Sequence, residues 1–118
     1  MIEIDRTAVV SNKAEIDDDV YIGPYSVIGD KVRIQKGVRI GRSVIIENRV
    51  TIGENTTIGH FSSIGVRPQD LKYKGEDTEL IIGRNNQIRE YVNISIGSVD
   101  GNGRTVIGDN NLIMSYSH

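Results

Sequence analysis

The stretch "VYIGPYSVIGDKVRIQKGVRIGRSVIIENRVTIGENTTIGHFSSIG", Val20 to Gly65, places isoleucine at every sixth position: Ile22, Ile28, Ile34, Ile40, Ile46, Ile52, Ile58 and Ile64. The series runs back through Ile16 and Val10 to Ile4. Two residues before each large side chain lies a small or β-branched one: Ala8, Ala14, Val20, Ser26, Val32, Val38, Val44, Val50, Thr56 and Ser62. Residues two apart on a strand share a face, so each unit offers one small and one large inward group on a very short strand. A period of six fits neither an α-helix, whose face recurs at three, four, seven and eight, nor a heptad. Glycine one place after the large residue, at Gly23, Gly29, Gly41, Gly53, Gly59 and Gly65, is expected to let the chain turn without a Cβ clash. Pairs such as Asp30-Lys31 and Glu54-Asn55 then fall at exposed corners.

A unit that buries two side chains cannot stand alone and must stack on copies of itself, which makes the chain a solenoid. Hexapeptide periods read as a parallel β-helix.

Composition agrees. The 118 residues make one domain at most, 1–118, with 37% apolar and 25% charged residues. Thirteen glycines and an aromatic content of only 5% point to many turns around a bore too narrow for large rings. A net charge of −2 gives no basic face for nucleic acid, no apolar run is long enough to span a membrane, and no signal peptide is visible, so a cytoplasmic location is expected. Without cysteine there are no disulfides or thiolate ligands. Two histidines, His60 and His118, are too few for a three-histidine metal site, so no metal is expected.

The beat fails after Ile64. The next places in the series are Asp70 and Glu76, whose charges cannot enter an apolar bore, so an external loop is expected around residues 66–79. Leu80/Ile82, Asn86/Ile88 and Val92/Ile94 restore the small-then-large pattern. A second break, "GSVDGNGRT" from Gly97 to Thr105, reads as a turn-rich bulge before Thr105/Ile107 and Asn111/Ile113. The chain stops one residue short of its next large position, so it is expected to be the N-terminal part of a longer protein.

The hexapeptides resemble those of the hexapeptide-repeat acyltransferases. That resemblance implies an all-β, left-handed parallel β-helix with three strands and so about 18 residues per coil, roughly 4.8 Å between coils and about five to six coils in all; the winding comes from the family, not from the spacing. "IGVRPQDLKYKGEDTELIIGRNNQIREYVNISIGS" and "IGDNNLIMSYSH" further resemble the bacterial UDP-N-acetylglucosamine O-acyltransferases of lipid A synthesis. The resemblance covers the whole chain, and its most specific part is Gln69-Asp70-Leu71-Lys72-Tyr73 with Gly75-Glu76 close behind. It implies transfer of an (R)-3-hydroxyacyl chain from acyl carrier protein to the 3-hydroxyl of UDP-N-acetylglucosamine, by homotrimers with sites between subunits and without a cofactor. It assigns Gln69, Asp70, Lys72, Tyr73 and His118 to substrate binding, and the general base to a second histidine three places after His118. No catalytic residue is therefore expected within the chain, which by itself is expected to be inactive.

The residues leave other readings open. The 69–73 segment would also suit a solvated charged loop, and the chain an N-acyl or acetyltransferase for another nucleotide sugar, or a non-catalytic trimeric scaffold. His60 is expected on the surface or at a subunit contact; Asp17-Asp18-Asp19, Arg84 and Arg89 suit solvated corners, and Arg89-Glu90 would also suit a trimer contact.

Overall fold

The computed structural model describes residues 1–67, 78–96 and 103–116. Three parallel sheets share these residues, each strand bonded to the third strand before and after it. The first sheet holds Glu3–Ile4, Tyr21–Ile22, Arg39–Ile40, Thr57–Ile58, Gln87–Ile88 and Leu112–Ile113. The second holds Val9–Val10, Val27–Ile28, Ile45–Ile46, Ser63–Val66 and Asn93–Ser95. In the third lie Glu15–Ile16, Arg33–Ile34, Arg49–Ile52, Glu79–Ile82 and Arg104–Ile107.

The register gives the coil length. Arg39 pairs with Tyr21 and with Thr57, eighteen positions away on either side, three repeats per coil. Thr57 pairs next with Gln87, thirty positions on, and Gln87 with Leu112, twenty-five on. The first interruption therefore adds twelve residues and the second seven. Twelve is two whole repeats and keeps the phase; seven moves it by one, as the thirteen-residue step from Ile94 to Ile107 requires.

Inside, the large residues stack in three columns, with Ile22, Ile34, Ile40, Ile46, Ile52 and Ile64 wholly buried. Each contributes roughly 1.5–3 kcal/mol by leaving water. Ile4, in the first coil, is covered from one side and stays 42% exposed. Every described aromatic residue is outside: Tyr21, Tyr25, Phe61, Tyr91 and Tyr116 are all exposed.

Polar members of the small series are buried because they serve the next coil. The Ser26 hydroxyl donates to the Gly41 carbonyl (2.8 Å) and accepts from the Val44 N–H (3.1 Å). Ser62 does the same with the Arg89 carbonyl and the Val92 N–H. Asn86 donates to the carbonyls of Gly83 (3.0 Å) and Gly108 (2.7 Å) while its Oδ1 accepts from the Asn111 N–H (2.8 Å). These bonds tie one coil to the next at three levels of the stack.

The glycine after the large residue has a different role from the one expected. The left-handed residue of the corners is the third after the large one: Asp19, Tyr25, Gly37, Ser43, Asn55, Phe61, Asn85, Tyr91, Asn110 and Tyr116 all have φ between 52° and 79°. Gly23 and Gly59 are needed for close approach between coils. A Cβ on Gly23 would stand 2.6 Å from the Gly41 carbonyl oxygen, and one on Gly59 2.6 Å from the Glu90 nitrogen. Gly65 is the one member of that set which also has a positive φ, of 80°.

Candidate functional site

Gly65 marks where the regular pairing between coils breaks. The register of Ser63–Val66 against Asn93–Ser95 shifts between Ile64 and Val66, a bulge that places Val66 opposite Ser95. A Cβ at Gly65 would fall on the Glu47 carbonyl oxygen and on Cγ2 of Val50, so only glycine fits. The Gly65 carbonyl accepts from Asn48 Nδ2 (2.8 Å), and the Ile96 N–H bonds to the Val66 carbonyl (2.8 Å).

Both interruptions thus depart from the same corner, after Val66 and after Ile96, on neighbouring coils. They also return together. The Glu79 N–H donates to the Gly103 carbonyl (2.9 Å), and Glu79 pairs with Arg104 along the third sheet. The Glu79 carboxylate sits between Arg104 (3.0 Å) and Arg49 (3.6 Å), with only 20% of its side chain exposed. Two guanidiniums on a half-buried carboxylate brace the return of both segments.

The outer face of the second sheet leads to this corner. Its outward column reads Val9, Val27, Ile45, Ser63, Asn93, with no charge in it. The other two sheets carry Arg39 paired with Asp19 (3.0 Å) and Arg33 paired with Glu15 (2.8 Å). The second sheet's column is apolar for three coils, with Val9 64% and Val27 and Ile45 each 40% exposed, then turns polar where the segments emerge. There the Asn93 Oδ1 is buried without a hydrogen-bond partner.

Gln69, Asp70, Lys72, Tyr73 and His118 lie outside the described residues, as does the body of the 66–79 loop. His60 is exposed, as expected; its Nδ1 accepts from the Arg42 N–H (3.0 Å) and so helps close a corner. Arg89 and Glu90 pair with each other at 3.4 Å. Among the described residues no three histidine, cysteine or acidic side chains converge on a metal site, and no helix is long and apolar enough to cross a membrane. The sequence reading did not single out Asn93 and Ser95, the polar outward groups beside this corner. The signal available was an amide and a hydroxyl at outward places beside the second break, in a column that begins with valine.

Stacked short parallel strands around an apolar bore, interrupted twice at one corner, define the class. The chain belongs to the family described as the GMPPB C-terminal domain, whose model matches residues 4–69, the coils ahead of the first loop. The particular likeness is closer and runs through both loops. All 118 residues align at 57% identity with the acyl-[acyl-carrier-protein]–UDP-N-acetylglucosamine O-acyltransferase of Thermodesulfovibrio yellowstonii, covering 46% of its length. A crystal structure of a UDP-N-acetylglucosamine acyltransferase superposes on 97% of the chain with a TM-score of 0.95 and 47% identity, using 44% of that chain. LpxA from Acinetobacter baumannii gives 0.92 and 45% over 95% of the chain and 43% of its own. The chain thus spans about half the length of these relatives. The fold is the left-handed parallel β-helix that the resemblance implied.

Proposed function

We propose that the polypeptide of full family length moves an (R)-3-hydroxyacyl group from acyl carrier protein to the 3-hydroxyl of UDP-N-acetylglucosamine, a step of lipid A synthesis. The observation that carries this reading is the 57% identity, over every residue of the chain, to a protein named for that acyl transfer. In the reaction a base takes the proton of the 3-hydroxyl as its oxygen attacks the thioester carbonyl. The tetrahedral oxyanion collapses, the C–S bond breaks, and the sulfur leaves on the carrier and is protonated. The thioester is already activated, so no cofactor enters.

Gln69, Asp70, Lys72, Tyr73 and His118 bind substrate in this reading. The Asp70 carboxylate accepts from a sugar hydroxyl or amide, and the Lys72 ammonium meets a phosphate as a point charge. The base is the histidine that the resemblance places three positions after His118. A homotrimer in the cytoplasm is the working form. The uncharged outer column of the second sheet supports it, since a patch with exposed Val9, Val27 and Ile45 is better covered by another copy than left in water.

The test is direct. The full-length polypeptide, given 3-hydroxyacyl carrier protein and UDP-N-acetylglucosamine, should release free carrier thiol and form the 3-O-acylated sugar nucleotide. Absence of product with both substrates present would overturn the reading, and Asp70→Ala should raise the KM for the sugar nucleotide.

A further inference from the structure

The Asn93 carboxamide is the most telling group that the fold does not use. Its Oδ1 is buried and accepts nothing, although a desolvated oxygen without a donor costs on the order of 1–3 kcal/mol. Asn93 does not gain that back as a strand former, because asparagine is disfavoured in strands where the same column elsewhere uses valine and isoleucine. Two half-exposed hydroxyls flank it. Ser63 stands directly opposite on the preceding coil, and Ser95 lies two residues further on, opposite Val66 at the root of the first loop. Because Ile94 points inward, Asn93 and Ser95 share the outer face.

We infer that Asn93 is a substrate-binding residue whose Oδ1 accepts the N–H of a neutral secondary amide in the acyl-transfer site; this rests on the function proposed above. An unpaired acceptor calls for a donor, which excludes phosphate and carboxylate. Among the described residues the outward column leading to it, Val9, Val27, Ile45 and Ser63, carries no charge, which disfavours an ammonium. A secondary amide also carries a carbonyl, and the hydroxyls of Ser63, across the sheet, and Ser95, along the strand, are the neighbouring donors for it. The two substrates offer this chemistry in two places: the acetamido group of the acceptor sugar and the amides of the carrier's pantetheine arm.

Steady-state kinetics on the full-length polypeptide separate these. Asn93→Ala should raise the KM for one substrate about tenfold while kcat stays within twofold, since one buried hydrogen bond to ligand is being lost. Asn93→Thr, whose hydroxyl oxygen can accept and whose branching suits a strand, should recover most of that loss. If the acetamido N–H is the partner, the wild-type preference for UDP-N-acetylglucosamine over UDP-glucose shrinks in Asn93→Ala; if the pantetheine amide is, only the KM for the acyl carrier rises. Both KM values unchanged within twofold, or Asn93→Thr as impaired as Asn93→Ala, would overturn the inference while wild-type turnover still upheld the reaction. Wild-type protein that turned over neither substrate would remove the proposed reaction and this inference with it.

Discussion

Val66 pairs with Ser95 across a bulge at Gly65, and through that pairing two breaks in the repeat that lie thirty residues apart begin at one corner. Gly65→Ala should therefore act on the site as well as on stability. With φ at 80° and a Cβ directed into Glu47 and Val50, alanine should cost about 1–3 kcal/mol. Denaturant melts of the variant would measure the cost, and the proposed acyl transfer, assayed in the polypeptide of full family length, should fall by more than the loss of folded protein explains. An alanine variant with full activity and unchanged stability would show that the bulge can relax.

Close approach between coils predicts a contrast at two glycines with the same place in the repeat. Gly23→Ala should destabilise by about 1–3 kcal/mol, because its Cβ would press on the Gly41 carbonyl. Gly29→Ala has 3.4 Å to the Glu47 Cα and should be neutral, or stabilising by about 0.4–1 kcal/mol through the unfolded chain. Thermal melts of the pair should separate in that order.

Asn86 closes three hydrogen bonds inside the stack. Asn86→Ala leaves the Gly108 carbonyl and the Asn111 N–H unpaired, at roughly 1–3 kcal/mol for each group that water does not reach, while the Gly83 carbonyl keeps the Thr56 hydroxyl (3.0 Å). Amide exchange should report it: the Asn111 N–H, protected in the parent, should exchange fastest in the variant.

Acid sensitivity should be readable at Asp5. Hydrogen bonds from the Thr7 hydroxyl (2.6 Å) and the Thr7 N–H (2.9 Å) hold its carboxyl below the ordinary value of 3.8. A carboxyl lowered in the folded state stabilises fully above that ordinary value and loses its contribution as the pH falls through the lowered one. In a titration followed by NMR, Thr7→Val should move the Asp5 midpoint upward. Identical midpoints would mean that the hydroxyl has no effect on the carboxyl.

The uncharged face of the second sheet yields a prediction about assembly. Ile45→Glu, 40% exposed in the single chain, would place a desolvated charge in the proposed subunit contact. Sedimentation should find smaller species for this variant than for the parent, with its thermal unfolding still cooperative. A trimer of unchanged mass would move the contact to another face.

The lesson from the repeat concerns which residues carry it. Ile22, Ile40 and Ile58 announce their inward place because an apolar bore admits only such side chains, and Asp70 announces an excursion because it admits no charge. The corners were misjudged for the opposite reason. Left-handed φ is found at Tyr25, Phe61 and Tyr91, where sequence suggests no turn, because the stacked bonds of the coil enforce it at a fixed place whatever the residue. The glycines two places earlier answer to the coil above them, which the chain reaches only eighteen or thirty residues later.

By itself, then, the sequence determined that the chain stacks very short strands, which side chains face inward, and where the winding is interrupted, because alternation and size are local properties of each repeat. Tertiary structure alone decided that the two interruptions share a corner, that Glu79 braces both returns between Arg49 and Arg104, and that Asn93 keeps a buried oxygen without a donor beside them. Those facts depend on how far each inserted segment shifts one coil over the next, and that shift is set by hydrogen bonding between coils, which no single repeat contains.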